Sequence, residues 1–369
     1  MVTSDSAAAS SAQRDGSRLA RPSAQRPELI TKKLAVADWR PIVAEFQRPS
    51  AWRAGWQLVS TVGLYVATWV MLYFAVAVSW WLAAPLVLLG AGLLVRIFII
   101  FHDCTHSSFV SSRVATDLIG GFTGVLAFTP YRQWRAEHSI HHGANGDLDR
   151  RGVGDIWTMT VDEYLGSSKW RRLGYRIARN PITLFLVAPF FLFVVLHRFS
   201  RAKATDAERG SVRNTNLGLF ALLCVMGSVF GFVPFLILQL SVMTLAGAMG
   251  IWLFYMQHQF EDVYWERHEE WDYTIAALQG SSYFQLPKVL QWFSGNIGFH
   301  HIHHLSPRIP NYNLERCHNS NALFQNVHVM TFWSSFRAMR LRVWDEASRR
   351  LVTWRELREL RELRQAATR

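Results

Sequence analysis

Nine of the 14 histidines fall into three short clusters. They are His102-Asp103-Cys104-Thr105-His106, His138-Ser139-Ile140-His141-His142 and Asn296-Ile297-Gly298-Phe299-His300-His301-Ile302-His303-His304. Neutral imidazole is a ligand for zinc, copper, iron and nickel. On a helix, positions i and i+4 share a face, so His102 and His106 aim at one metal. In His138-x-x-His141-His142 the last two rings point about 100° apart, at about 3.6 residues per turn. One of them serves the same metal as His138 and the other a neighbour. The third cluster repeats the pattern as His300-x-x-His303-His304, leaving His301 between ligand positions. A lone H-x-x-x-H is more often a pair of surface histidines; three clusters outweigh that reading. A structural zinc needs four ligands, and the clusters offer eight. An all-nitrogen dinuclear site with open positions is what dioxygen activation needs. His258, in Tyr255-Met256-Gln257-His258-Gln259, reads on spacing alone either as a further ligand or as an interfacial histidine satisfied by water or backbone. Metal-bound histidines usually give their other ring N–H to an acceptor. Asp103, Glu137, Asp155, Glu261 and Asp262 are the local candidates, and Asn296 is placed to hold a metal-bound water.

These clusters need long elements to bring them together. Half of the residues are hydrophobic, 14% are aromatic and only 18% are charged, which suits an integral membrane protein. The net charge of +12 flanks apolar spans, so a cationic face on anionic lipid explains it better than nucleic acid does. Trp56–Ser79 is long enough to cross a bilayer, and Leu82–Val95 begins the return, with Arg96 reaching for the interface at the helix end. Asn214–Gln257 holds two crossings, broken at Gly231-Phe232-Val233-Pro234. Leu118–Phe128 is too short to span. Ile182–Leu196 is flanked by arginines and lysines on both sides, so both are expected to be interfacial or re-entrant. The expected fold is therefore all-α and integral to the membrane: four transmembrane helices, both termini cytoplasmic, and a cytosolic helical cap carrying the histidine clusters.

The expected organisation is a cytosolic, partly disordered N-terminal region over residues 1–50, a membrane domain over 51–330 and an amphipathic helical tail over 331–369. Residues 1–27 lack the apolar core of a signal peptide; they read as a disordered tail, with an organelle transit peptide as the alternative. Residues 355–364 repeat Arg-Glu-Leu with leucine every third position, an amphipathic helix whose stripe either packs on the protein or docks elsewhere. The three cysteines, Cys104, Cys224 and Cys317, form no disulfide framework and suit a reducing compartment.

HDCTH, HSIHH and HHIHH, in this order and with these gaps, resemble the three histidine boxes of the membrane fatty-acid desaturases. Tyr131-Arg132-Gln133-Trp134-Arg135-Ala136-Glu137, Gly154-Asp155-Ile156-Trp157-Thr158-Met159-Thr160, Gln257-His258, Asn296-Ile297 and Pro310-Asn311-Tyr312 are similar to the acyl-lipid omega-6 (delta-12) branch. The resemblance spans roughly residues 50–330. It implies two non-haem irons, O2 as co-substrate, and His102, His106, His138, His141, His142, His300, His303 and His304 as ligands. It adds His258 as the extra ligand on the last membrane helix. It also implies insertion of a cis double bond into a lipid-linked acyl chain at the cytoplasmic face, with a bacterial inner membrane as the expected location. The chain shows no cytochrome b5 module, so a separate ferredoxin-like or cytochrome b5-like donor is expected. A membrane hydroxylase or ketolase on lipid, alkane or carotenoid would share the site and differ in product mass. A histidine-rich metal transporter would instead need polar ligands within the spans.

Overall fold

The computed structural model describes residues 39–367, and the tail expected at 1–27 lies outside them. Among the described residues, four helices are long and apolar enough to cross a membrane. Helix α1 (Ala51–Val78) and α2 (Trp80–Thr105) form the first pair, turned at the extended Ser79, whose hydroxyl accepts the Trp81 N–H. Helices α3 (Arg113–Leu126) and α4 (Tyr131–Ala144) follow. Helix α5 (Asp206–Phe230) and α6 (Phe232–His258) form the second pair. Gly231 breaks it at φ +82°, a left-handed conformation that costs a glycine little. Pro234 sits in the first turn of α6, where its missing N–H is harmless.

The spans pack through Trp69, Leu72, Leu94, Ile97, Phe235 and Val242. Their outer faces leave Val70, Phe74, Leu217, Phe220 and Val225 exposed, which suits hydrocarbon rather than water. Helix α2 continues past Val95 to the first histidine cluster. Arg96, nearly two turns before His102, is partnered by the protein. Its guanidinium lies 4.1 Å over the Trp292 ring, its Nε donates to Thr61 Oγ1 at 3.1 Å, and it also donates to the Trp292 carbonyl. The segment Lys288–Phe293 folds back to supply the ring and the carbonyl.

Neither short apolar stretch makes a straight crossing. Leu118–Phe128 lies within and just beyond α3. Lys169–Ala178 and Thr183–Arg198 form a pair bent by 64°. Its second arm is irregular, with π-turns at Thr183–Val187 and Phe191–Val195.

The remaining chain closes over the ends of α2, α4 and α6. It contains β1 (Tyr283–Gln285), α7 (His300–Leu305), α8 (Asn311–Ser320) and β2 (Val329–Thr331), with β1 and β2 paired in parallel. Residues 331–369 are not helical throughout. Strands β3 (Leu341–Asp345) and β4 (Arg350–Thr353) form an antiparallel hairpin before α9 (Trp354–Ala367). The β-branched Val343 and Val352, alongside Leu341 and Leu351, favour strand there. Thr353 and Glu356 close a capping box at the start of α9. The leucine stripe of α9 begins on the protein: Leu357 is buried against Met159, Tyr164, Tyr175, Val343 and Val352. An Arg364–Asp162 ion pair ties the far end of α9 down.

Candidate metal centre

Four helix ends converge. The last turn of α2 brings His102, with His106 as its cap. Helix α4 brings His138, His141 and His142, α6 ends at His258, and α7 carries His300, His303 and His304. The rings fall into two groups, each able to hold a metal ion: His102, His106, His138, His142 and His303, and His141, His258, His300 and His304. Within each group the candidate ligand atoms all lie within 4.8 Å of one another. The H-x-x-H-H spacing thus divides as helix geometry requires: i and i+4 share a group, and i+3 joins the other.

The Nε2 atoms face each other. His138 Nε2 lies 3.0 Å from His102 Nε2 and 3.1 Å from His142 Nε2, which is 3.0 Å from His303 Nε2. His300 Nε2 lies 2.9 Å from His258 Nε2 and 3.1 Å from His304 Nε2. Burial, foremost, and the neighbouring rings hold His138, His142, His300, His303 and His304 well below the ordinary histidine range. The rings are therefore neutral. A neutral imidazole has one N–H, so the converging nitrogens cannot all satisfy one another. His106 Nε2 and His141 Nε2 are buried with no partner at all. This donor set fits a pair of cations that accept nitrogen lone pairs.

Two carboxylates orient the rings. Asp155 Oδ1 accepts from His141 Nδ1 at 2.6 Å, and its Oδ2 accepts the Gly152 N–H at 3.3 Å. Asp103 Oδ1 lies 3.3 Å from His102 Nδ1. Its Oδ2 accepts from both the backbone N–H (2.6 Å) and the side-chain amide (2.8 Å) of Asn311. The Gly280 carbonyl accepts from His258 Nδ1 at 3.1 Å.

The other expected acceptors lie elsewhere. Glu137 pairs with Arg201 at 3.3 Å and Glu261 with Arg350 at 3.3 Å. Asp262 sits in an exposed turn. Asn296 is not set to hold a metal-bound water: its Oδ1 accepts from Gln291 and its Nδ2 donates to the Asn311 carbonyl. It adopts φ +61°, which turns it out of the α7 register. His301 belongs to neither group. It is buried with its Nε2 3.0 Å from His318 Nδ1, and burial pushes its pKa down to about 3.

Spacing does not point to several neighbours. Trp134 stacks on His138 at 4.2 Å, and Phe254 packs 5.1 Å from His141. Asn311 braces Asp103. Arg179 is fully buried and donates to Tyr255 Oη, Gln259 Oε1 and the Leu341 carbonyl, pinning α6 to the hairpin. The irregular Thr183–Arg198 arm supplies one wall of a cavity of about 560 Å³. Apolar side chains from α2, α6 and this arm line it, including Leu94, Phe98, Leu184, Phe193 and Met243. It reaches His102, His138 and His300.

An apolar cavity thus lies against both imidazole groups, with His102 and His138 from one and His300 from the other in its lining. Residues 78–336 match the family model described as fatty acid desaturase. This chain is a member of the fatty acid desaturase family. It is 42% identical over 318 residues to a fatty acid desaturase of Bacillus subtilis, covering 86% of this chain and 90% of that protein. It is 24% identical to a chloroplastic omega-6 fatty acid desaturase of Spinacia oleracea, over 80% of this chain and 64% of that protein. It is 26% identical to an sn-1 oleoyl-lipid 12-desaturase of Synechocystis, over 65% of this chain and 68% of that protein. As a desaturase, the chain is an oxidoreductase acting on acyl chains at a membrane. The apolar cavity, the histidine clusters and three of the four candidate spans lie within the matched region, and the first span, Ala51–Val78, precedes it.

Proposed function

We propose that the two imidazole groups hold two non-haem irons that introduce a cis double bond into a lipid-linked acyl chain. His102, His106, His138, His142 and His303 would hold one iron, and His141, His258, His300 and His304 the other. The bound pair supplies the activation of O2 needed to break unactivated C–H bonds. The chain's own residues do the rest. Leu94, Phe98, Phe193 and Met243 keep water from the acyl chain and present one stretch of it to the imidazoles. Asp103, Asp155 and the Gly280 carbonyl fix three ring orientations. The reaction removes two hydrogens from adjacent methylenes and, with two electrons and two protons, reduces O2 to two waters. The electrons come from a separate redox protein.

The convergence of buried, neutral imidazoles beside an apolar cavity carries this reading. Delta-12 (omega-6) regiochemistry draws support from the names of the more distant relatives; the B. subtilis relative's name specifies no position. The cytoplasmic placement of the centre and of both termini draws support from arginine and lysine flanking the spans. Expression in a host lacking polyunsaturated lipids, followed by analysis of fatty-acid methyl esters with double-bond location, tests the assignment. A new double bond at carbon 12 of an 18-carbon chain is the expected product. A bond elsewhere overturns the regiochemistry alone, and a hydroxylated product overturns desaturation.

A further inference from the structure

A second cavity, of about 730 Å³, approaches the centre from another side. Its lining is polar where the acyl cavity is apolar: it includes Gln47, Ser107, Thr116, Arg113, Arg135 and Arg308. The two cavities divide the centre. The acyl cavity touches His102, His138 and His300, whereas the polar one touches His106 and none of the other eight imidazoles. His106 is also the exception in burial, half-buried where the other eight are buried. The centre thus comes nearest the exterior at His106, and it does so away from the substrate.

The charge around this opening is one-sided. Arg113, Arg135 and Arg308 are exposed. Arg135 donates to the Ser107 hydroxyl at 3.4 Å. The one acid in the lining, Asp117, is taken by Arg132 at 3.1 Å. Among the described residues, no carboxylate pairs with Arg113, Arg135 or Arg308. Three guanidinium groups that have no carboxylate partner among the described residues, set around a polar opening, attract an anionic partner and speed its encounter. The three come from the start of α3, from α4 and from the loop after α7, so they surround the opening.

We propose that this arginine-rimmed opening is the docking surface for the electron donor, an acidic redox protein, and that electrons enter through His106. The assignment rests on the desaturase reading above. Each one-electron donor is oxidised once per encounter, so two encounters supply the two electrons of a turnover. These two electrons and two protons from solvent, together with the two protons and two electrons released when the C–H pair becomes a double bond, reduce one O2 to two waters. Because the acyl chain lies on the other side, a docked donor leaves it in place. The separation of the cavities matches the separation of the two inputs.

The test uses iron-loaded, full-length protein in nanodiscs of neutral phosphatidylcholine. The probe is a plant-type [2Fe–2S] ferredoxin with a strongly acidic surface. Binding is read by biolayer interferometry at low and high salt, and turnover is read with reduced ferredoxin and, separately, with reduced methyl viologen. The triple variant Arg113→Glu, Arg135→Glu, Arg308→Glu is expected to weaken ferredoxin binding at least 10-fold and to flatten its salt dependence. The triple lysine variant at the same positions is expected to retain binding. Turnover with the small viologen, which needs no docking, is expected to stay within about two-fold of the unaltered protein. Unchanged ferredoxin affinity in the glutamate variant overturns the docking surface. So does a variant that loses affinity for vesicles of anionic phosphatidylglycerol yet keeps the ferredoxin, since the opening would then hold lipid headgroups. Absence of any desaturated product with either donor in the unaltered protein instead overturns the desaturase reading.

Discussion

Asn311 donates twice to one oxygen of Asp103, from its backbone N–H at 2.6 Å and its side-chain amide at 2.8 Å, across 208 residues of sequence. The carboxylate is nearly fully buried, and its other oxygen faces His102 Nδ1. One side chain therefore links the end of α2 to the start of α8. Removing either partner leaves the other buried and short of a bond. Asp103→Asn and Asn311→Ala are each expected to weaken iron binding by about 10–100-fold. Anaerobic titration of the metal-free protein with ferrous iron measures this.

His258 and His301 should behave oppositely. His258 lies among the second group of imidazoles, so His258→Ala is expected to lower bound iron from two per chain towards one and to abolish turnover. His301 bonds His318 outside both groups. His301→Ala is expected to keep full iron content and cost about 1–3 kcal/mol of stability through the unpaired partner and the void. Elemental analysis beside thermal unfolding separates the two outcomes.

The metal-free protein should be acid-labile in a defined window. His138, His142, His300, His303 and His304 are held well below 6.5 by burial, and His301 is pushed down to about 3. In the unfolded chain these rings protonate as pH falls through about 6.5. The folded state does not take up those protons, so the unfolded state binds more of them below that pH. Stability is thus present above about 6.5 and lost as pH falls further. The unfolding temperature of the metal-free protein in detergent is expected to hold between pH 8 and 7 and to drop steadily between 6.5 and 5.

Two glycines on α6 have different duties in the acyl cavity. A Cβ at Gly247 would lie 3.1 Å from Pro189 Cβ and 3.4 Å from Phe193, so this position lets the irregular arm pack. A Cβ at Gly250 would meet nothing within 4 Å, and Gly250 lines the cavity eight residues before His258. That is about 12 Å along the helix. Gly250→Leu is expected to fold normally and reduce turnover of 18-carbon chains at least 10-fold, sparing shorter ones. Gly247→Leu is expected to lower the unfolding temperature. Lipid profiling and thermal melts of both variants check the division.

Much of this arrangement is legible in residue spacing. The turn of about 100° per helical residue separates His141 from His142, and the structure shows that it is His142 that joins His138. The charge-free run 214–257 and its Gly-Phe-Val-Pro break foretell α5 and α6. What spacing does not carry is long-range. Glu137 adjoins His138 in sequence, but one helical step turns it towards Arg201. Asp155 reaches His141 through a turn with Gly152 and Gly154 at positive φ, which no periodicity reveals. Asn296 would stand beside a metal if a helix ran through it to His300, one turn on. The chain is not helical there, and its amide faces Gln291 and Asn311 instead. The partner of Arg96, the Trp292 ring, lies 196 residues away. The β3–β4 hairpin is masked by the helical pattern that follows it.

Each imidazole group draws on three helices: α2, α4 and α7 for one, and α4, α6 and α7 for the other. No partial chain holds a full set. During synthesis, the first two clusters wait until the last span is inserted and residue 304 has left the ribosome. Retention of metal is therefore a checkpoint on assembly: an ion that stays bound certifies that every crossing has been made and the cap has closed.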